Sequence, residues 1–154
     1  MIATIKGRVF WLISRAAIVA YRTFPIFGAL RGSVALIRNG DKILVLERND
    51  GLGLGLPGGL LRRGESEEQG LTREVFEETG LRVTSATLLF HTRGNWPYPN
   101  RIAVFAAEAA GELRGSWEGT PCWMRLSDAQ PRIMANQRDI LNKWLELSSE
   151  RGDR

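Results

Sequence analysis

Three glutamates set the strongest constraint in this chain. Within the stretch TREVFEETG, residues 72–80, Glu74, Glu77 and Glu78 are spaced i, i+3 and i+4. That spacing places three carboxylates on one helical face within about 6 Å of one another. Like charges so placed repel, and a fold gains nothing from them unless a cation collects there. An all-oxygen donor set suits a hard divalent ion, and Mg2+ is the usual one because it keeps several waters and also binds substrate phosphates.

The helix that carries them has clear ends. Ser66 is an N-cap candidate with Gln69 three residues on, a capping-box pattern, and Gly80 is a natural C′ residue. Leu71 and Val75 form an apolar stripe that docks the helix onto a sheet. Arg73 is within reach of Glu77 at i+4 and of Glu65 in the preceding loop, so it can hold a ligand in place. Ahead of the helix, Pro57-Gly58-Gly59 lets the backbone pass close to a metal, where the Gly58 carbonyl could serve as a ligand. Gly70 inside the helix costs about 1 kcal/mol of propensity.

The whole stretch from Gly59 to Leu81 (GLLRRGESEEQGLTREVFEETGL) resembles a Nudix box. That pattern is a glycine, five residues, a glutamate, seven residues, then R-E-U-x-E-E-x-G-U with U aliphatic. Gly59, Glu65, Arg73, Glu74, Val75, Glu77, Glu78, Gly80 and Leu81 fill its nine fixed positions without a gap. From about residue 32 to 147 the order of elements is similar to the MutT-like branch. The resemblance implies an α/β fold, an α/β/α sandwich with a mixed sheet.

It also implies a reaction, attack of water on a phosphorus of a nucleoside diphosphate linked to a group X. Mg2+, with Mn2+ as an alternative, is the implied cofactor. By resemblance Glu74 is the favoured base, Arg73 belongs with it, and Glu77 and Glu78 are metal ligands. A late-loop glutamate commonly completes such a site. Glu118, five residues before Trp123 in WEGTPCWMRL, matches it as ligand or base, with Glu112 as the fallback. Arg48 matches a phosphate-contacting arginine at a strand end, and Gly59 joins the substrate-contacting set. Asn136, in Met134-Ala135-Asn136-Gln137, lies where MutT-type triphosphatases place a base-reading asparagine. It suits a helix N-cap equally well. Trp96 and Tyr98 are candidates for stacking on a base. Pro97 hints at ADP-ribose hydrolases and Tyr98 at dinucleoside-polyphosphate hydrolases, so the two disagree. The expected activity is hydrolysis of a nucleoside triphosphate or related diphosphate derivative. The alternatives are ADP-ribose or nucleotide-sugar hydrolysis and, outside enzymes, a nucleotide-sensing module, although such modules usually lose box glutamates.

The 154 residues, 44% hydrophobic and 25% charged, suit one globular domain with a full core. The one cysteine, Cys122, excludes an intrachain disulfide and reads as a small packing residue. The lone His91 reads as structural, since no second histidine exists to build a metal site. A net charge of +4 and a pI near 9.8 raise nucleic acid as a partner. The excess is local, however. Residues 1–40 hold six basic side chains and no acid, leaving the rest at −2. No nucleic-acid motif accompanies it, so a small nucleotide is the expected partner.

The division expected is a helical extension at 1–30 and the catalytic domain at 31–150. Arg8, Arg15 and Arg22 recur every seven residues opposite Phe10, Ile13, Ala17 and Ala20, which makes an amphipathic helix. It is too short and too charged to span a bilayer, and Arg15 interrupts any signal-peptide run. Residues 1–24 are therefore open to packing on their own domain, a homodimer, or an anionic membrane surface. A cytoplasmic setting, peripheral to the membrane in the last case, is expected.

Further along, Ser33–Ile37 and Lys42–Leu46 read as a hairpin around Asn39-Gly40. Arg82–Phe90 and Arg101–Glu108 read as strands flanking a substrate-side loop at residues 91–100. Cys122–Leu126 reads as a short strand and Asn136–Leu147 as a closing amphipathic helix.

Overall fold

The structure, a computed structural model, describes residues 30–94 and 100–152. The amphipathic segment at 1–24 and the aromatic pair Trp96 and Tyr98, with Pro97 between them, lie outside the described residues.

The chain opens with strand β1 (Leu30–Asn39), turns through Gly40 at φ 61°, and returns as β2 (Lys42–Arg48). Asn39 pairs with Lys42, so the two-residue loop is Gly40-Asp41, one position later than the Asn-Gly centre expected, and Gly40 alone supplies the left-handed conformation. Two short strands follow, β3 (Leu54–Gly55) and β4 (Gly58–Leu60), then helix α1 (Glu67–Thr79). Long strands β5 (Arg82–Gly94) and β6 (Asn100–Ala110) and the shorter β7 (Gly119–Arg125) complete the sheet. A one-turn helix α2 (Leu126–Ala129), a 3-10 turn (Gln130–Arg132) and helix α3 (Ala135–Gly152) end the described chain.

The sheet runs β3-β2-β1-β6-β5, with β4 on β1 and β7 on β2. Among the described strands only β1 and β6 pair in parallel, so the sheet is mixed. Beyond the hairpin turn β2 diverges from β1 to pair with β7, and β4 takes its place beside Gly32, Ser33 and Val34. That swap is what positions the site, because it brings the Pro57-Gly58-Gly59 corner against the middle of β1.

Alternation along the strands divides the core into two layers. Ala35 and Ile37 of β1 and Ala103 and Phe105 of β6 meet Leu71 and Val75 of α1 on one face. Val34, Leu36 and Val104 meet Leu56 and the Ile140, Leu141 and Trp144 stripe of α3 on the other. The result is the α/β/α sandwich expected from the sequence. Among the described residues no helix is long and apolar enough to cross a membrane.

The differences from the sequence reading lie at element ends. β5 and β6 take in residues 91–94 and Asn100 of the loop expected at 91–100, because cross-strand pairing continues from His91↔Ala103 to Gly94↔Asn100. β7 begins at Gly119 rather than Cys122 and gives way to α2 at Leu126. The glycine-rich stretch before the box holds β3 and β4 rather than continuous loop. Gly70 also has a packing reason: a Cβ there would run into the Leu61 side chain.

The two-layer core makes a stability contrast. Leu71 is 0% exposed and Leu52 is 67% exposed. Leu71→Ala should cost about 2–5 kcal/mol in urea unfolding, and Leu52→Ala should stay within about 0.5 kcal/mol of wild type.

Candidate active site

The carboxylate helix starts as its sequence indicates. The Ser66 hydroxyl accepts from the Gln69 amide at 3.1 Å, and the Gln69 side chain accepts from the Ser66 amide at 2.9 Å. Gly80 closes the helix at φ 77°. Between these caps Leu71 and Val75 face the sheet, which turns Glu74 and Glu78 towards the Gly58-Gly59 corner and leaves Glu77 46% exposed.

Arg73 organises the surrounding charge. Its Nε and Nη2 donate to the two carboxylate oxygens of Glu65 at 2.7 and 2.9 Å, and Nη2 also donates to the Leu60 carbonyl at 3.0 Å. Nη1 donates to Glu74 at 2.6 Å and to Glu77 at 3.2 Å. Both partners expected for Arg73, Glu65 and Glu77, are therefore engaged at once. The guanidinium beside Glu65, helped by the Arg62 amide, holds that carboxyl down at about 2. Arg62 adds a second cation to Glu77 at 2.9 Å.

Glu78 is in a different position. It is 7% exposed and accepts a hydrogen bond from the Gly58 amide at 2.8 Å. Burial pushes its carboxyl up to about 8; the Gly58 hydrogen bond opposes the shift, and the charges of Glu118 and Glu74 add to it. Glu118 stands in the loop between β6 and β7, anchored by the Asn49 amide on its carbonyl at 3.0 Å. Its charge also raises Arg48, whose first partner is Asp50, at 2.5 Å from Nη2. The structure thus brings Glu74, Glu78, Glu118, Arg48 and Gly58 into one electrostatic neighbourhood. Glu112 instead presents its backbone carbonyl to Gly80 at the far end of the helix.

The two box glycines make room for this arrangement. Gly58, at φ 147°, crosses so close to Ser33 that a Cβ would collide with the Ser33 carbonyl. At Gly59 a Cβ would lie 2.6 Å from the Glu74 carboxyl carbon. Gly58 reaches Glu78 through its amide, a contact the sequence reading did not anticipate.

Among the described residues no three acidic, histidine or cysteine side chains form a preformed metal cage. Arg73 draws Glu74, Arg62 and Arg73 draw Glu77, and Gly58 holds Glu78. The donor set still fits a hard cation. A buried carboxyl that prefers its proton while two more carboxylates bear on it is an oxygen site short of positive charge.

On the other face of β1 a cavity of about 360 Å³ opens between Gly58, Gly59, Thr92 and Ile102 and the start of α3. Asn136 lines it, together with Gln137 and Asp139. Asn136 is not the cap of α3. The Met134 carbonyl accepts from the Gln137 and Arg138 amides at 2.9 and 3.1 Å, so Met134 holds the cap position and Asn136 lies inside the first turn. Gln137 was missed from sequence; its side chain accepts from the Leu56 amide at 2.7 Å and ties α3 to the corner before Gly58. Asp50 was missed as well, though its place two residues after Arg48 was a signal. His91 is structural, with Nε2 2.9 Å from Glu67. Cys122 packs against the α3-side core, where burial and then the charge of Glu47 raise its thiol.

A carboxylate-bearing helix facing a glycine corner, on an α/β/α sandwich with a cleft behind the corner, defines a class of phosphate-handling domains. The chain belongs to the NUDIX domain family, which it matches over residues 29–145. It is similar to the NAD-capped RNA hydrolase NudC of Mannheimia succiniciproducens, 29% identical over 148 residues, covering 87% of this chain and 54% of that protein. The corresponding NudC of Actinobacillus succinogenes is 33% identical over 103 residues, covering 61% and 38%. The chain thus spans about half or less of the length of these relatives. Among solved structures, a Nudix hydrolase family member from Chromobacterium violaceum is 30% identical with a TM-score of 0.67, covering 79% of each chain. The MutT Nudix hydrolase of Burkholderia pseudomallei is 26% identical with a TM-score of 0.66, covering 74% of this chain and 96% of that one.

The raised Glu78 carboxyl makes stability depend on pH. Its folded value of about 8 lies above the ordinary 4.5, so its contribution is complete below about pH 4.5 and is lost as pH rises through 8. In chelator, wild-type stability should fall between pH 5 and 8 by an amount on the order of a few kcal/mol. Glu78→Gln should flatten that part of the curve, as read by urea midpoints across pH.

Proposed function

We propose that this chain is a Mg2+-dependent hydrolase of a phosphoanhydride bond in a nucleoside triphosphate or another nucleoside diphosphate linked to X. The observation that carries this reading is Glu78, a buried carboxyl held on the Gly58 amide and pressed by Glu118 and Glu74. Residues 31–150 are the catalytic domain and 1–30 an extension to it.

Glu74, Glu77, Glu78, Glu118 and the Gly58 backbone would hold the cation. When bound, it neutralises phosphate oxygens and lowers the pKa of an attacking water. Arg48, fixed by Asp50, presents positive charge to the phosphate chain. Glu74 or Glu118 accepts the water's proton. Arg73 acts as a positioning residue, because its donors are committed to Glu65, Glu74, Glu77 and Leu60. The cavity beside Gly59 takes the nucleoside, with Asn136 facing a base edge through its paired donor and acceptor.

A second reading keeps the chemistry and changes the substrate to a dinucleotide-like pyrophosphate such as ADP-ribose or a nucleotide sugar. It is favoured by relatives named for hydrolysis of NAD-capped RNA. A non-catalytic sensing module is disfavoured, since every box carboxylate is present. A screen of nucleoside di- and triphosphates, ADP-ribose and nucleotide sugars with Mg2+, read by phosphate release, separates these readings.

Glu78→Gln removes charge with little change in volume. With saturating Mg2+ it should lower kcat by about 100-fold or more while leaving circular dichroism unchanged. Retention of more than about a tenth of the wild-type rate would sink the metal-site assignment.

Asn136 gives a second check. As an exposed first-turn residue that does not cap α3, Asn136→Ala should change unfolding free energy by less than about 0.5 kcal/mol. It should nevertheless reorder purine and pyrimidine substrates in kcat/KM. An unchanged ranking would remove its base-reading role.

A further inference from the structure

Three arginines form a row across one face of the sheet, beside the point where residues 1–29 join it. Arg31 of β1 is the register partner of Arg101 of β6, and Arg101 is the register partner of Arg93 of β5. Partners in register point to the same face. That face is the α1 side. Ala103, two positions along β6 from Arg101, lies in the core layer with Leu71 and Val75, and the Arg31 guanidinium reaches Glu67 at 3.4 Å. The cavity opens on the α3 side, so the row is a separate surface. With neighbouring strands about 4.8 Å apart, it is about 10 Å long.

The fold does not account for this row. Like charges directly opposite one another destabilise a sheet, and Arg31, Arg93 and Arg101 are all exposed. Among the described residues Arg93 and Arg101 have no ion-pair partner. The Leu61 amide donates to the Arg31 carbonyl at 2.9 Å, which brings the loop before α1 alongside and with it the exposed Arg63. Nearby acids offset little of this charge. Glu65 is engaged by Arg73, and Glu67 is shared between Arg31 and His91 in long or solvent-screened contacts.

A second basic stretch adjoins the row. β1 begins at Leu30, so residues 1–29 enter within one position of Arg31. They hold Lys6, Arg8, Arg15 and Arg22 with no acid, and the arginines recur opposite Phe10, Ile13, Ala17 and Ala20. We propose that the row and this segment together dock the protein on an anionic lipid surface, the segment turning its apolar side into the bilayer and the row facing the headgroups. Stable peripheral attachment takes two signals, and a basic patch is a common second one. A polynucleotide would match the arginines but has no place for the apolar side, whereas a bilayer takes both. The cavity, on the opposite face of the sheet, stays open to solvent. The surface does not rest on the hydrolase reading, because lipid binding is measured without turnover.

Co-sedimentation of the full chain with phosphatidylcholine vesicles, with and without phosphatidylserine, tests the surface. Wild type should bind the anionic vesicles more tightly than the neutral ones. Binding should weaken as added salt shortens the Debye length from about 10 to about 3 Å. Arg31→Gln combined with Arg101→Thr should weaken binding about tenfold or more, since each surface arginine contributes about fivefold. Arg31→Lys combined with Arg101→Lys keeps the charge and should bind within about twofold of wild type. Arg8→Gln, Arg15→Gln and Arg22→Gln together should also weaken binding. Hydrolysis of free nucleotides should be unchanged in all three variants; Arg93 is left in place because it borders the cavity.

Equal binding of wild type and the Arg31→Gln, Arg101→Thr variant would overturn the proposal, as would equal binding to neutral vesicles or no binding at low salt. Loss of binding in the lysine variant would overturn a contact that reads charge. Loss confined to the Arg8, Arg15 and Arg22 variant would overturn the role of the row and assign attachment to the segment alone. Row-dependent binding of a labelled single-stranded oligonucleotide, without vesicle binding, would overturn the lipid surface in favour of nucleic acid.

Discussion

The site depends on one guanidinium. Arg73 projects from the middle of α1 and spends its donors on Glu65, the Leu60 carbonyl, Glu74 and Glu77. These acceptors belong to two pieces of chain, the end of β4 with the loop after it and the helix itself. The bonds therefore lock the loop to the helix and set the distance from the glycine corner to the carboxylate face. A lysine could supply the charge but not the planar fork that meets several acceptors at fixed angles. Three carboxylates gather around Arg73, with Arg62 assisting at Glu77. Glu78 has no ion pair among the described residues, and only the charge of Arg48, itself paired with Asp50, acts on it. That residue falls back on a backbone amide, and burial first, then the charges of Glu118 and Glu74, raise its carboxyl.

Sheet topology explains why the deficit falls beside a cleft. Because β4 replaces β2 along part of β1, the Gly58-Gly59 corner has helix α1 on one side and the cavity on the other. Gly58 borders the cavity and donates to Glu78, so one residue adjoins both halves of the site. The two glycines are constrained for separate reasons: a Cβ at Gly58 would strike the fixed β1 backbone, and one at Gly59 would displace the Glu74 carboxylate.

Much of this was legible in the sequence, where local spacing carries the information. The capping box and the Gly80 terminus are short-range patterns, and each stands where it was expected; the hairpin stands too, with its loop one residue later at Gly40-Asp41. What escaped was set at long range. Arg93, Gly94 and Asn100 look like loop residues, yet strand pairing carries β5 and β6 through them. Asn136 has the chemistry of a cap, but the chain turns at Met134, whose amide bonds to the Leu54 carbonyl. Gly70 reads as a propensity defect until Leu61 is seen packed against it. Gln137 carries no local sign that it holds Leu56, 81 positions away.

Charge is divided across the fold in a way that average composition conceals. Carboxylates concentrate on the later turns of α1, where Arg48, Arg62 and Arg73 only partly offset them. Arginines concentrate across β1, β6 and β5 near the start of that helix, where Glu67 offsets them weakly. Strand register alone creates the second region, since a one-residue slip of β6 would turn Arg101 to the opposite face and bury the row's centre against the α3 layer.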